Sequence, residues 1–306
     1  MWEAPYGWGP PFFLTFNFMA ATATEIANLA IAHLGGRALT SLTSEGTQQA
    51  ASLRKWYNPG GSPAVYTALD EALRSHPWNF ATQRHRQTVT YYSVTDVTNS
   101  GGLIKITDGS HGIQTGDRVY IKDVEGVTAA NGQWYVTRVD NDEFTLQDSV
   151  FAGTYTAATG KFVKIPAFDW DFQHTPPDDC LRVISLNAGG GQMEDAGADF
   201  TFEKRLILTD EETINLKYIQ RITDVTVYPA DFVTAFSFLL ASYIAQDTQG
   251  ATGQAQQMRQ FFEKAVAPPV KARDSNEGKA RRIPPFNDSQ IVSARFGGYW
   301  TGGITD

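Results

Sequence analysis

The sequence predicts an α+β protein: a helical-bundle core with a small β region, an inserted small all-β, barrel-like domain, and extended termini. Three observations carry this. Apolar residues recur at helical spacing between Thr22 and Leu73 and again from Phe232 to Val266; from Ser93 to Ile165 the period drops to two; and both ends carry proline and aromatics without periodicity. At 306 residues the chain has room for more than one domain. The expected division is an aromatic arm over 1–18, a helical core from 19–92 and 166–267, a β domain over 93–165, and a C-terminal tail over 268–306.

A net charge of -8 argues against a general nucleic-acid binder, which needs clustered Lys and Arg to displace counterions. The single cysteine, Cys180, excludes an intrachain disulfide and a multi-cysteine zinc site. The longest apolar stretch free of charge, Phe232–Ala245, is shorter than the ~20 residues a bilayer-spanning helix needs, so no membrane span is expected.

Residues 1–18 hold seven aromatics and no Lys or Arg, which is not a secretory signal. Two readings stay open: translation starting at Met19, or an arm whose rings bury on a neighbouring subunit. The first helix begins near Thr22 or Thr24 as N-cap and stops at Gly35-Gly36. A second follows Ser44, with Ala50, Leu53, Trp56 and Tyr57 on one face. A third is expected from Ser62-Pro63, with Tyr66, Leu69 and Leu73 as its stripe, and ends at His76-Pro77. Trp78 and Phe80 stand two apart, so an extended chain would turn both rings to one side, toward the large apolar surface of the Phe232 helix.

Strand-like runs from Val94 to Leu146 are separated by turns such as Asn99-Ser100-Gly101-Gly102 and Asp140-Asn141-Asp142-Glu143. This β domain carries six basic residues (Lys105, Arg118, Lys122, Arg138, Lys161, Lys164) against nine acidic ones (Asp96, Asp108, Asp117, Asp123, Glu125, Asp140, Asp142, Glu143, Asp148), a balance of -3. Short strands are expected at Cys180–Leu186, Phe200–Phe202, Arg205–Leu208 and Thr213–Tyr218. Pro229-Ala230-Asp231 then opens a helix with Phe232, Phe236, Leu239, Leu240 and Tyr243 at helical spacing. Val233, Phe238 and Ile244 widen its stripe past one face, so it needs burial on more than one side. Thr252–Val266 reads as a last amphipathic helix, ended by Pro268-Pro269. The tail beyond has six basic residues, with Lys271, Arg273, Lys279, Arg281, Arg282 and Arg295, against four acidic ones, Asp274, Glu277, Asp288 and Asp306.

Chemistry is sparse. The five histidines show no ligand spacing, and no cofactor or metal is expected. Asp140-Asn141-Asp142 opens like a calcium loop, but Phe144 stands where an oxygen ligand belongs, so it reads as a hairpin turn. No Gly-x-Ser-x-Gly elbow, phosphate loop or dinucleotide fingerprint occurs, and the chain does not read as an enzyme.

Taken in order, Ala32-His33-Leu34-Gly35, Leu39-Thr40-Ser41-Leu42, His76-Pro77-Trp78-Asn79-Phe80-Ala81, Pro177-Asp178-Asp179-Cys180-Leu181-Arg182-Val183 and Tyr218-Ile219-Gln220-Arg221-Ile222-Thr223-Asp224 resemble the tail tubular protein A, or adaptor, family of short-tailed bacteriophages. The resemblance covers about residues 20–90 and 166–267. Residues 93–165 look like a small β-barrel module of phage virion proteins.

The resemblance implies a structural virion protein at the head-to-tail interface, assembled in the host cytoplasm. Its partners would be a homo-oligomeric ring of about twelve copies, the portal, the tail nozzle and the tail fibres. DNA would pass through the lumen without specific binding. Arg281, Arg282, Phe286, Phe296, Tyr299 and Trp300 are the expected portal-docking residues. Pro77, Trp78, Phe80, Phe232, Phe236 and Leu240 are expected to form a structural anchor. The alternative is a receptor- or glycan-binding virion protein acting through Trp134, Tyr135 or Tyr155 of the β domain.

Overall fold

The computed structural model describes residues 22–109, 111–187, 198–249 and 252–277. Its helices are α1 (Ala23–His33), α2 (Gln48–Trp56), α3 (Thr67–Arg74), α4 (Ala230–Gln249), α5 (Thr252–Phe261) and α6 (Ala267–Glu277). The strands are β1 (Thr82–Thr88), β2 (Tyr92–Ser93), β3 (Asp96–Ser100), β4 (Leu103–Thr107), β5 (Arg118–Lys122), β6 (Gly132–Arg138) and β7 (Glu143–Leu146). They continue with β8 (Lys161–Ile165), β9 (Phe172–His174), β10 (Cys180–Leu186), β11 (Thr201–Glu203), β12 (Leu206–Thr209) and β13 (Thr213–Gln220). The described residues form two compact units, one from 57–227 and one from 22–56 together with 228–277.

The second unit is helical. Thr22 caps α1 by a reciprocal capping box, its hydroxyl accepting from the Glu25 amide while the Glu25 carboxylate accepts from the Thr22 amide. Gly35, at φ +69, ends α1 where a side chain would be strained. The centre is α4, packed by α1, α2, α5 and α6, with Phe232, Phe236, Leu239 and Leu240 fully enclosed. Burial extends past one face of the helix, to Ala235, Ala241 and Ile244. Asp247 holds α2 to α4, accepting from Ser52 at 2.9 Å and Lys55 at 2.8 Å.

Two boundaries differ from expectation here and at α3. Pro268-Pro269 do not end the helical run: a π-helical turn at Phe262–Val266, in which the Ala267 amide bonds to the Phe262 carbonyl, leads into α6, which contains both prolines. Ser62-Pro63 do not open a helix; Asn58 and Val65 exchange backbone hydrogen bonds of 2.8 and 3.0 Å, and α3 starts only at Thr67.

The first unit is almost all β. Strands between Tyr92 and Ile165 form one antiparallel sheet in the order β2-β8-β5-β6-β7-β4-β3. It curls into a half-barrel around a core that includes Val97, Ile104, Val119, Ile121, Phe144 and Phe162. Between β2 and β3 the Val94 amide bonds to Gly160 and the Thr95 amide to Thr107, so two consecutive residues reach strands near opposite edges. Gly126 and Gly153 let two loops touch: a Cβ on Gly126, at φ +79, would sit 1.8 Å from the Thr154 carbonyl oxygen.

Two three-stranded sheets complete the unit, β1-β13-β10 and β11-β12-β9. Leu186, Ile207, Ile214, Leu216 and Tyr218 form the core between them, and α3 covers one end of the first sheet at β10 and β13.

The expected helical-bundle core with a small β region is therefore overturned. Sheet structure dominates, and residues 82–88 belong to it. Thr82-Gln83-Arg84-His85-Arg86-Gln87-Thr88 has no apolar residue from which a period could be read; it is a strand because each position pairs along β13. The arm over 1–18 and the tail beyond 277 lie outside the described residues.

Candidate functional site

Segments far apart in the chain, around Asp70, Asp179 and Tyr218–Arg221, meet at one end of the β1-β13-β10 sheet. Arg221 grips Asp70 of α3 through two hydrogen bonds, Nε to Oδ1 at 2.7 Å and Nη2 to Oδ2 at 2.6 Å, which keeps the guanidinium charged. Asp179 accepts from Tyr218 Oη at 3.1 Å and Gln220 Nε2 at 2.6 Å, and its carbonyl accepts from the Arg221 amide at 2.8 Å. Burial, then the Asp179 charge, pushes the Tyr218 phenol well above its ordinary range, so it serves as a fixed donor.

Beside them Trp78 is buried, and its indole N–H donates to the Ala72 carbonyl at 2.9 Å. A 3-10 turn, Asn79–Ala81, follows it in place of an extended chain. The rings of Trp78 and Phe80 stand 6.2 Å apart; Phe80 is half-buried and Pro77 exposed. Trp78 and Phe80 belong to the first unit and Phe232, Phe236 and Leu240 to the second, where the Phe232 and Phe236 rings stack 5.9 Å apart. The expected docking residues Arg281, Arg282, Phe286, Phe296, Tyr299 and Trp300 fall outside the described residues.

The outer face of the β1-β13-β10 sheet is the feature the sequence reading missed. Alternation turns Ile214, Leu216 and Tyr218 inward, so Asn215 and Lys217 point outward beside Arg86 and Arg84 of β1. Ser185 of β10 lies opposite Lys217 on the other side. Together with His85 and Leu216 these residues line a concavity of about 280 Å³. The three strands carry Arg84, Arg86, Arg182 and Lys217 and no carboxylate. Arg182 donates to the Arg74 carbonyl at 3.0 Å, while Arg84, Arg86 and Lys217 form no ion pair among the described residues. The run Gln83-Arg84-His85-Arg86-Gln87 was the available signal, two cations at strand spacing in an acidic chain.

The half-barrel's rings are mostly committed. Trp134 packs on the core and donates to the Ala130 carbonyl at 3.0 Å; Tyr155 packs there too and donates toward the Val94 and Thr159 carbonyls at 2.9 and 2.7 Å. Tyr135 is exposed, with its hydroxyl on the Ala167 carbonyl at 2.7 Å. Asp140-Asn141-Asp142 closes the β6–β7 hairpin, Asp140 accepting from the Asp142 amide at 2.8 Å. Burial pushes the Cys180 thiol up to about 11, which keeps it protonated and unreactive. Among the described residues no group of His, Cys, Asp or Glu is placed to hold a metal ion. Nor is any helix among them long and apolar enough to cross a membrane. Compared with known proteins, the chain matches no family model and no curated sequence.

Proposed function

We propose that the chain is a structural virion protein, a head-to-tail adaptor of a short-tailed phage. Copies would form a ring that joins portal to tail nozzle and lets DNA pass, with no catalytic role and no cofactor. The observation that supports this reading is the convergence just described. Three of the five strings that carry the resemblance, at 76–81, 177–183 and 218–224, place Trp78, Asp179, Tyr218 and Arg221 side chains in one framework with α3. Residues held for architecture, with no reactive group among them, suit a scaffold. The glycan-binding reading has less support, since Trp134 and Tyr155 are used inside the half-barrel.

Negative-stain imaging of the full chain, alone and with portal, tests the proposal. Rings are expected, and deleting residues 278–306 should abolish portal binding while leaving the thermal midpoint unchanged. A monomer indifferent to portal would sink it.

A further inference from the structure

The open face of the β1-β13-β10 sheet has an unusual charge balance. Tyr57–Val227 contain 14 Lys and Arg against 23 Asp and Glu, yet these three strands hold cations only. Arg84 pairs directly across from Lys217, a like-charge contact that raises the energy of the free chain. Arg84 and Arg86 are exposed and, two positions apart on one strand, repeat at about 6.8 Å. Asn215, Ser185, Thr88 and Thr213 supply neutral hydrogen-bonding groups around them.

We propose that this face binds the phosphate backbone of nucleic acid, without reading its sequence. Guanidinium groups bind phosphate through two parallel hydrogen bonds, and an anion lying between Arg84 and Lys217 turns their repulsion into shared attraction. A protein partner presents both signs of charge; three strands that carry cations and no carboxylate match a ligand whose repeating groups are all negative. The acidic remainder of the unit repels the same ligand, which confines it to this sheet.

The experiment uses full-length protein and fluorescently labelled 20-nucleotide single-stranded and duplex DNA, with anisotropy read between 50 and 200 mM salt. Arg84→Gln/Arg86→Gln/Lys217→Gln should weaken binding at least tenfold and lower the salt slope by about 3, near one unit per phosphate contact. Arg138→Gln/Lys161→Gln/Lys204→Gln removes equal charge elsewhere in the unit and should change affinity less than twofold. Thermal midpoints confirm that variants fold, and the single Arg86→Gln serves if the triple variant does not. Absence of DNA binding, equal losses in both triple variants, or no loss in the first would overturn the proposal. So would equally tight binding of poly-glutamate, which would mark a carboxylate site for an acidic protein, or binding of inorganic pyrophosphate without DNA. Ring formation is imaged without DNA, so either result stands apart from the adaptor reading.

Discussion

At the scale of single residues, two positions carry distinct costs and a third a gain. Gly126→Ala places a methyl group against the Thr154 carbonyl at a φ unfavourable for any side chain, and should cost ~3 kcal/mol in urea unfolding. Trp78→Ala opens a large cavity and should cost ~3–5 kcal/mol, whereas Trp78→Phe opens a smaller one and loses the hydrogen bond to Ala72, the bond alone worth about 1 kcal/mol. Arg84→Gln should act the other way. It relieves a cross-strand repulsion and should stabilise by ~0.2–1 kcal/mol at low salt, a gain that fades as added salt screens the pair. Destabilisation by this change would mean that Arg84 is an attractive contact in the free chain.

At the scale of elements, two buried histidines and a partly buried one tie three places in the fold to pH. His33 stacks on Phe238 and bonds Ser237 at 3.0 Å in the helical unit; His111 packs edge-on to Phe144 in the half-barrel; His174 of β9 bonds the Glu211 carbonyl at 2.8 Å. Burial holds all three below the ordinary histidine value. The unfolded chain therefore takes up protons more readily than the folded one. Their contribution is complete above about 6.5 and is lost as pH falls through that value toward the lowered ones. Urea midpoints should decline from pH 7 to pH 5; a flat profile would contradict this. The same elements show what could be read in advance. α4 was legible because its apolar residues outnumber one face, and the half-barrel because turns such as Asp140-Asn141-Asp142 punctuate alternating strands. β1 was not, because its stability comes from backbone pairing with β13, a partner more than a hundred residues away that no local pattern announces. The outer basic face was hidden for the same reason: Lys217 joins Arg84 and Arg86 only through that register. Helix ends near proline misled for another reason, since a π-helical turn just before Pro268 lets the helical run continue where a regular ladder would be interrupted.

At the scale of the whole molecule, charge sets two opposed salt responses. Subunits of net charge -8 repel when gathered in a ring, so the proposed ring should become more stable from 50 to 200 mM salt, while DNA binding at the basic sheet weakens over the same range. Sedimentation and anisotropy on one salt series would show the two trends crossing, and parallel trends would argue against one of the two assignments. The half-barrel has a different consequence. The chain comes in on β2 and leaves on β8, and these two strands are hydrogen-bonded neighbours, Tyr92 facing Phe162 and Ser93 facing Lys161. A module whose two connections lie side by side fixes the spacing of β1 and β9 by itself, so an addition in one of its outward turns leaves that spacing unchanged. That makes residues 92–165 the natural place to attach a label or a foreign binding module to this protein.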